Sequence, residues 1–124
     1  MGKTAYDSTG KTASRRTHYV TITGLAANTQ YYYEVVSGGQ VYRNNGQPYT
    51  INTAVSVTPP SGSHVAYGQV LLSNGDPATG AIVFLKIEDS DGIGSSGTSQ
   101  IISALTDSTG WWNLELTGIR TQDL

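Results

Sequence analysis

The sequence predicts an all-β sandwich fold. Only 13% of its 124 residues are charged, and Thr, Ser, Gly, Val, Ile and Tyr are abundant, which is the composition of short strands joined by tight turns. Hydrophobic and polar residues alternate with period two in several segments, whereas no segment has an amphipathic helical pattern of three turns. The length corresponds to about one ordinary domain or two very small ones.

Alternation or continuous apolar character marks about eight strands. They are predicted at residues 3–7, 17–23, 30–37, 48–55, 65–73, 81–89, 100–107 and 111–119. The segment 81–89 is apolar on both faces for most of its length, which indicates a central strand. The last two strands flank a short turn and are predicted to form a hairpin. That turn belongs to the tetrapeptide DSTG, which occurs at 7–10 and again at 107–110 and is interpreted as a turn used twice.

Three consecutive tyrosines lie in the predicted strand 30–37. Period-two alternation places Tyr31, Tyr33 and Val35 on one face and Tyr32 on the other. We expect the first face to be buried and the second to be exposed.

A break in the alternation predicts a linker at residues 57–64. Pro59-Pro60 cannot donate hydrogen bonds to a strand ladder, and the following Ser-Gly-Ser is flexible. The predicted organisation is therefore a first segment at 1–56, the linker, and a second segment at 65–124.

Composition argues against several classes of function. The net charge of −2 provides no field that would attract nucleic acid or an anionic membrane. The absence of an 18-residue apolar run predicts no membrane insertion. Residues 1–3 lead into polar sequence rather than into the apolar region of a signal peptide, so a secreted parent protein would carry its signal elsewhere.

The residues that carry catalysis in other proteins are sparse here. There is no cysteine, and the two histidines, His18 and His64, are far apart in the sequence. No serine has the strand-turn-helix setting of a nucleophile elbow. We therefore predict that the chain is not an enzyme and needs no cofactor.

An acidic loop offers a weak candidate for a calcium site. Asp89 and Asp91, with Glu88 beside them, could supply oxygen ligands at the start of the Gly/Ser-rich segment 91–99. The spacing departs from the twelve-residue EF-hand loop, since Gly92 comes too early and no glutamate closes it. Asp and Gly are also ordinary turn residues, so the prediction for metal remains none.

Two adjacent tryptophans must point to opposite faces of the predicted strand 111–119. We assign Trp111 to the core and Trp112 to the surface. Together with Tyr32 or Tyr42, the exposed tryptophan could meet a partner protein or stack on a sugar ring. The alternative is that it covers a sandwich edge or a junction between modules.

Residues 17–54 resemble the C-terminal half of a fibronectin type III domain. The matching positions are Gly24-Leu25, Asn28-Thr29 and Tyr31. The resemblance implies that Leu25 plugs one end of an immunoglobulin-like sandwich and that Tyr31 forms a tyrosine corner with the backbone of the preceding turn. The first strands of that family, with their tryptophan, are absent from the sequence.

Residues 65–119 resemble the first half of a carboxypeptidase-regulatory-like domain, a transthyretin-like sandwich. The matching residues are Gly68-Gln69-Val70, Gly75-Asp76-Pro77-Ala78, Gly80-Ala81-Ile82-Val83, Thr106-Asp107 and Gly110. The final strands of that family would follow residue 124. The chain thus resembles half of one sandwich joined to half of another.

These resemblances imply a non-catalytic structural or adhesive segment of an extracellular, multi-module prokaryotic protein. We expect the half-sandwiches to be completed by strand exchange between copies of the chain or by neighbouring modules of the parent protein. The alternative is that the two halves close on each other within one chain and form a single hybrid sandwich. The alternatives are an accessory module of a secreted metallophosphatase or peptidase, and a carbohydrate-binding module that uses an exposed aromatic residue.

Overall fold

The computed structural model describes residues 2–12, 14–58, 61–93 and 96–121. Over these residues the fold is all-β, with ten short strands and no helix. The strands are β1 (Gln30–Tyr33), β2 (Val35–Ser37), β3 (Gln40–Tyr42), β4 (Tyr49–Asn52), β5 (Val65–Gln69), β6 (Ile82–Leu85), β7 (Glu88–Asp89), β8 (Gly97–Thr98), β9 (Ile102–Leu105) and β10 (Trp111–Glu115). Each strand has one antiparallel partner among these ten.

The chain divides into two compact units. The larger unit combines Met1–Thr21 with Thr58–Leu124, and the smaller unit is Ile22–Val57. The predicted first segment, 1–56, differs from this division because residues 1–21 group with the larger unit. One contact that attaches them is the Tyr19 hydroxyl, which donates a hydrogen bond of 2.8 Å to the carbonyl of Ser103 on β9.

The predictions of the two strands nearest the N-terminus are wrong. Residues 3–7 and 17–23 are both described and neither forms a strand. The backbone amide of Ser8 donates to the carbonyl of Tyr19 at 2.9 Å, but no ladder continues from this bond. An alternating pattern gives a regular strand only where a neighbour supplies a continuous row of partners.

The smaller unit contains two antiparallel strand pairs. β1 pairs with β4, and β2 pairs with β3 through a turn at Gly38-Gly39, where both glycines have positive φ angles. The predicted strand 30–37 is therefore two strands separated by Glu34. The Glu34 carboxylate accepts a hydrogen bond of 2.7 Å from the Arg43 guanidinium, so the break in the strand carries an ion pair.

The strand pairs of the larger unit are nested within one another. β7 pairs with β8, β6 and β9 pair outside them, and β5 and β10 pair outside those. The predicted hairpin of the last two strands is wrong, because β9 and β10 pair with different strands. The predicted central strand 81–89 is likewise two strands, β6 and β7, interrupted at Lys86 and Ile87.

The centre of the larger unit is small and partly polar. Its buried residues among those described are Ala78, Ser99, Ala104, Thr106 and Gly110. The Thr106 hydroxyl donates to the carbonyl of Ala78 and accepts from the amide of Ala81 at 2.8 Å. Thr106, the residue that follows β9, is thus hydrogen-bonded to the segment that precedes β6.

The DSTG tetrapeptide folds in the same way at both of its positions. In each copy the aspartate carboxylate accepts hydrogen bonds from the amide and the hydroxyl of the threonine two residues later. In each copy the glycine amide donates to the aspartate carbonyl, and the glycine has a positive φ, 115° at Gly10 and 78° at Gly110. The interpretation of DSTG as a turn used twice is confirmed.

Candidate functional site

The outer face of the β5–β10 ladder carries exposed aromatic side chains in a regular register. Strict alternation makes every second residue of both strands exposed. These six residues are Val65, Tyr67, Gln69, Trp111, Asn113 and Glu115. We call this set the β5–β10 outer face.

Tyr67 and Trp111 form an aromatic pair on this face. Their ring centroids are 6.4 Å apart and their planes are inclined by 33°. Tyr67 is 72% exposed and Trp111 is 46% exposed. The pair is diagonal in register, since Tyr67 lies opposite Asn113 and Trp111 lies opposite Gln69. Diagonal neighbours on one face of a sheet are within reach when the side chains are long or aromatic.

The predicted roles of the two tryptophans are reversed. Trp111 is exposed and Trp112 is half-buried on the opposite face. Trp112 lies across the ladder from Gly68, and a Cβ at Gly68 would approach the indole ring to 3.1 Å. The missing side chain therefore creates the space that the indole fills. A glycine in an alternating strand, Gly68, is the sequence signal that identifies Trp112 as the more buried of the two tryptophans. The same signal indicates that the neighbouring Tyr67 is exposed, which the sequence analysis did not predict.

Polar contacts hold the edges of the outer face in place. The side-chain amide of Gln69 donates a hydrogen bond of 2.9 Å to the backbone carbonyl of Thr109. The amide of Trp111 donates to the Asp107 carboxylate at 3.1 Å, and the Trp111 carbonyl accepts from the Asp107 amide at 2.9 Å. The aromatic pair is thus carried by a ladder whose end is fixed to the second DSTG turn.

The Glu115 carboxylate, at the other end of the face, gathers four hydrogen-bond donors. One oxygen accepts from the Ser63 hydroxyl at 2.6 Å, and the other from the His64 amide at 3.1 Å and from the amide and hydroxyl of Thr117. Hydrogen bonds from Ser63 and Thr117 stabilise the ionised form and lower the pKa of Glu115 from 4.5 to about 2. The C-terminal end of the predicted linker is therefore bound to β10.

The lowered pKa of Glu115 predicts that the folded protein loses stability in acid. A group whose pKa is lower in the folded state stabilises the fold above its unfolded pKa, and this contribution disappears as the pH falls toward the folded pKa. Hydrogen bonds from the Thr109 hydroxyl and amide also lower the pKa of Asp107, and those from Thr9 lower the pKa of Asp7. We expect the urea concentration at the unfolding midpoint to decrease as the pH is lowered from about 5 to about 2.

Glu115→Gln should make that decrease shallower, because the substituted side chain does not titrate. Glu88→Gln is the matched control, since the side chain of Glu88 is 75% exposed and its ion pair with Lys86 spans 4.0 Å. An identical pH dependence in wild type and Glu115→Gln would contradict the assignment.

The acidic loop is ordered by its own backbone. The Asp89 carboxylate accepts from the Asp91 amide at 3.3 Å, and the Asp91 carboxylate accepts from the Ile93 amide at 2.8 Å. Both side chains therefore have the ordinary turn-forming role, and both are exposed. Within the described ranges, no three His, Asp or Glu residues cluster in a way that could hold a metal ion.

The two histidines lie in different surroundings. His18 Nδ1 is 3.1 Å from the Asp7 carboxylate in the first DSTG turn. His64 contacts the end of β10 through its backbone, and its side chain is exposed. The structure does not bring the two histidines together.

The fibronectin-like residues lie at the start of the smaller unit. The Tyr31 hydroxyl accepts a hydrogen bond of 2.8 Å from the backbone amide of Ala26, five residues earlier. Tyr31 and Leu25 are both half-buried. Thr53 adds to this turn, because its hydroxyl donates to the Ala26 carbonyl and accepts from the Thr29 amide.

The expected burial of Tyr33 and Val35 is wrong. Tyr33 is 41% exposed and Val35 is 46% exposed. Tyr33 instead stacks on Tyr49 across the β1–β4 ladder, with ring centroids 5.3 Å apart. No second layer covers this face among the residues described for the smaller unit. Tyr32, on the other face, is 66% exposed and its hydroxyl donates to the Gln30 side chain.

Comparison of the chain with family models, with curated proteins and with solved structures finds no match in any of the three. No helix in the described part of the chain has the length and apolar character needed to span a membrane. The resemblances to the fibronectin type III and carboxypeptidase-regulatory-like families therefore remain sequence-based predictions.

Proposed function

We propose that this chain is a non-catalytic structural or adhesive β-sandwich segment of an extracellular, multi-module prokaryotic protein, and that it associates with copies of itself through its strands. The exposure of apolar side chains carries the proposal. Of the described residues, only two hydrophobic ones are buried, Ala78 and Ala104, at 8% exposure each. Twenty large hydrophobic side chains in the described part of the chain are exposed.

This distribution favours a chain that buries more surface in an assembly than alone. Fully burying one large apolar side chain contributes about 1.5–3 kcal/mol. Soluble monomers seldom leave extended apolar patches uncovered, and such patches usually mark interaction surfaces. A second chain packed on these faces would add hydrophobic burial to that of the single chain.

The open edges of the strands also favour self-association. Each described sheet has two strands, so each strand has one edge whose amides and carbonyls point away from its ladder partner. Isolated two-stranded sheets are marginal in water, and an open edge is a template for adding another strand. Strand addition between copies would extend the ladders and cover the apolar faces together.

The non-catalytic part of the proposal is supported by composition. The chain has no cysteine, and its two histidines are 46 positions apart in sequence, at 18 and 64. The extracellular, multi-module setting is supported by the resemblance to two module families that occur in such proteins.

Multi-angle light scattering tests self-association. At micromolar concentration we expect a mass of at least twice 13.1 kDa. Substituting two exposed strand residues with lysine, Val36→Lys with Ile51→Lys, should weaken association at least about tenfold, because charges on open strands oppose strand addition. Val36 is 67% exposed and Ile51 is 53% exposed, so the substitutions should leave the monomer folded.

Ile93→Lys is the matched control. Ile93 is 79% exposed and lies outside the strands, so the same change in charge and hydrophobicity should leave the mass unchanged. A well-folded wild-type monomer with dispersed amide resonances over the whole concentration range would overturn the proposal.

A further inference from the structure

We infer that the β5–β10 outer face is a binding platform for a neutral polysaccharide, with Tyr67 and Trp111 stacking on successive sugar rings. The face combines exposed aromatic surface with two side-chain amides, Gln69 and Asn113, and the first of these is held by the Thr109 carbonyl. Sugar rings present the complementary pattern, since their C–H faces are apolar and their edges carry hydroxyl groups. Tyr67 and Trp111 are two of the exposed apolar side chains counted above; the platform needs their face to be open, whereas the proposed strand addition uses the open backbone edges of the strands.

The geometry of the aromatic pair suits an extended ligand. The two ring centroids are 6.4 Å apart and the ring planes are inclined by 33°, so the rings form one exposed aromatic patch on the face of the sheet. A flat surface accommodates a chain of rings that lies along the sheet, whereas a small ligand held from several sides would need a concave pocket. The aromatic surface is exposed without a bound ligand, at 72% for Tyr67 and 46% for Trp111.

The charge of the face selects a neutral ligand. Two of its six side chains are aromatic, one is aliphatic, two are amides and one is a carboxylate; none is basic. The carboxylate, Glu115, is engaged by Ser63, His64 and Thr117. An acidic polysaccharide would therefore meet a negative charge and no cation, while a neutral one would meet hydrogen-bonding groups such as the exposed Asn113 between the ladder ends.

The platform is held in place before any ligand binds. The Asp107 turn bonds both backbone groups of Trp111, and Gln69 is fixed to the Thr109 carbonyl. On the opposite face, Trp112 fills the space left by Gly68. A surface that is already ordered loses less conformational entropy on binding, so weak stacking contacts contribute more of their energy to affinity.

Affinity electrophoresis tests the inference with defined probes. Native gels would contain hydroxyethylcellulose, xylan or galactomannan as neutral polysaccharides, and polygalacturonate as the acidic one. We expect at least one neutral probe to retard the protein and polygalacturonate not to do so. Tyr67→Ala and Trp111→Ala should each weaken the retardation about tenfold or more, since each removes one stacking surface.

Two controls separate binding from folding and from general aromatic adhesion. Trp111→Phe keeps an aromatic ring and should retain part of the binding. Tyr32→Ala removes a tyrosine of similar exposure, 66%, in the smaller unit and should bind as wild type does. Light scattering of every variant reports its association state, so a failure of self-association is distinguishable from a failure of binding.

The inference would be overturned by any of three results. One is that no neutral probe retards the wild-type protein. Another is that Tyr67→Ala, which alters a side chain 72% exposed, binds as well as wild type. The third is that polygalacturonate retards the protein as strongly as the neutral probes do.

Discussion

Gly110→Ala is expected to destabilise the larger unit by roughly 3 kcal/mol or more. Gly110 has a φ of 78°, and an added Cβ would lie 2.5 Å from the carbonyl oxygen of Val70 and 3.3 Å from the amide of Ala78. The left-handed conformation costs a non-glycine residue about 1–3 kcal/mol, and overpacking against backbone costs a similar amount. Because the neighbours are backbone atoms, they cannot move aside as a flexible side chain would.

The first copy of the same tetrapeptide provides the control. Gly10 has a φ of 115° and nothing within 4 Å of an added Cβ. Gly10→Ala should therefore carry only the conformational cost, about 1–3 kcal/mol, without the cost of overpacking. Urea unfolding of both variants measures the difference, and equal midpoints would show that the close approach at Gly110 is not rigid.

Thr106→Val is expected to cost about 2–4 kcal/mol. Valine matches threonine in shape but removes the hydroxyl that the Ala78 carbonyl and the Ala81 amide share. Thr106 is only 3% exposed, so water cannot easily replace the lost partner. Each backbone group left unsatisfied costs about 1–3 kcal/mol. Thermal or urea unfolding measures the effect.

Two further variants distinguish the hydrogen bonds from the packing at this position. Thr106→Ser keeps the hydroxyl and loses one methyl group, so it should be less destabilising than Thr106→Val. Thr79→Val is the surface control, because Thr79 is exposed and its hydroxyl donates to Ser108 at 3.2 Å; it should change stability by no more than about 0.5 kcal/mol. If the Thr106 and Thr79 variants unfold alike, the bridging role of Thr106 is refuted.

The fold class was predictable because alternation is a local property. The segments that contain β4, β5 and β10 all show it, and each forms a strand. The partner of a strand is a non-local property, which explains the error over the final hairpin. The short turn after β9 suggested that β9 pairs with β10, but β9 pairs with β6 and β10 pairs with β5.

The candidate site shows the same limit at the level of single residues. Alternation established that Trp111 and Trp112 face opposite ways, but not which of them is covered. That choice depends on Gly68, which lies across the ladder from Trp112 and 44 positions earlier in the sequence. Exposure of Tyr33 and Val35 has a similar origin, since burial needs a second layer and alternation within one strand contains no information about it.

The nested pairing of the larger unit implies an order of assembly in time. The innermost pair, β7 with β8, closes the shortest loop, and β6 with β9 comes next. Each strand pair that forms shortens the flexible loop that the next pair must close. The entropic barrier to β5–β10 pairing is therefore lowest after the inner ladders have formed. The aromatic platform would then be the last surface completed during refolding. In stopped-flow measurements, tryptophan fluorescence should therefore reach its native value later than the β-sheet circular dichroism signal does.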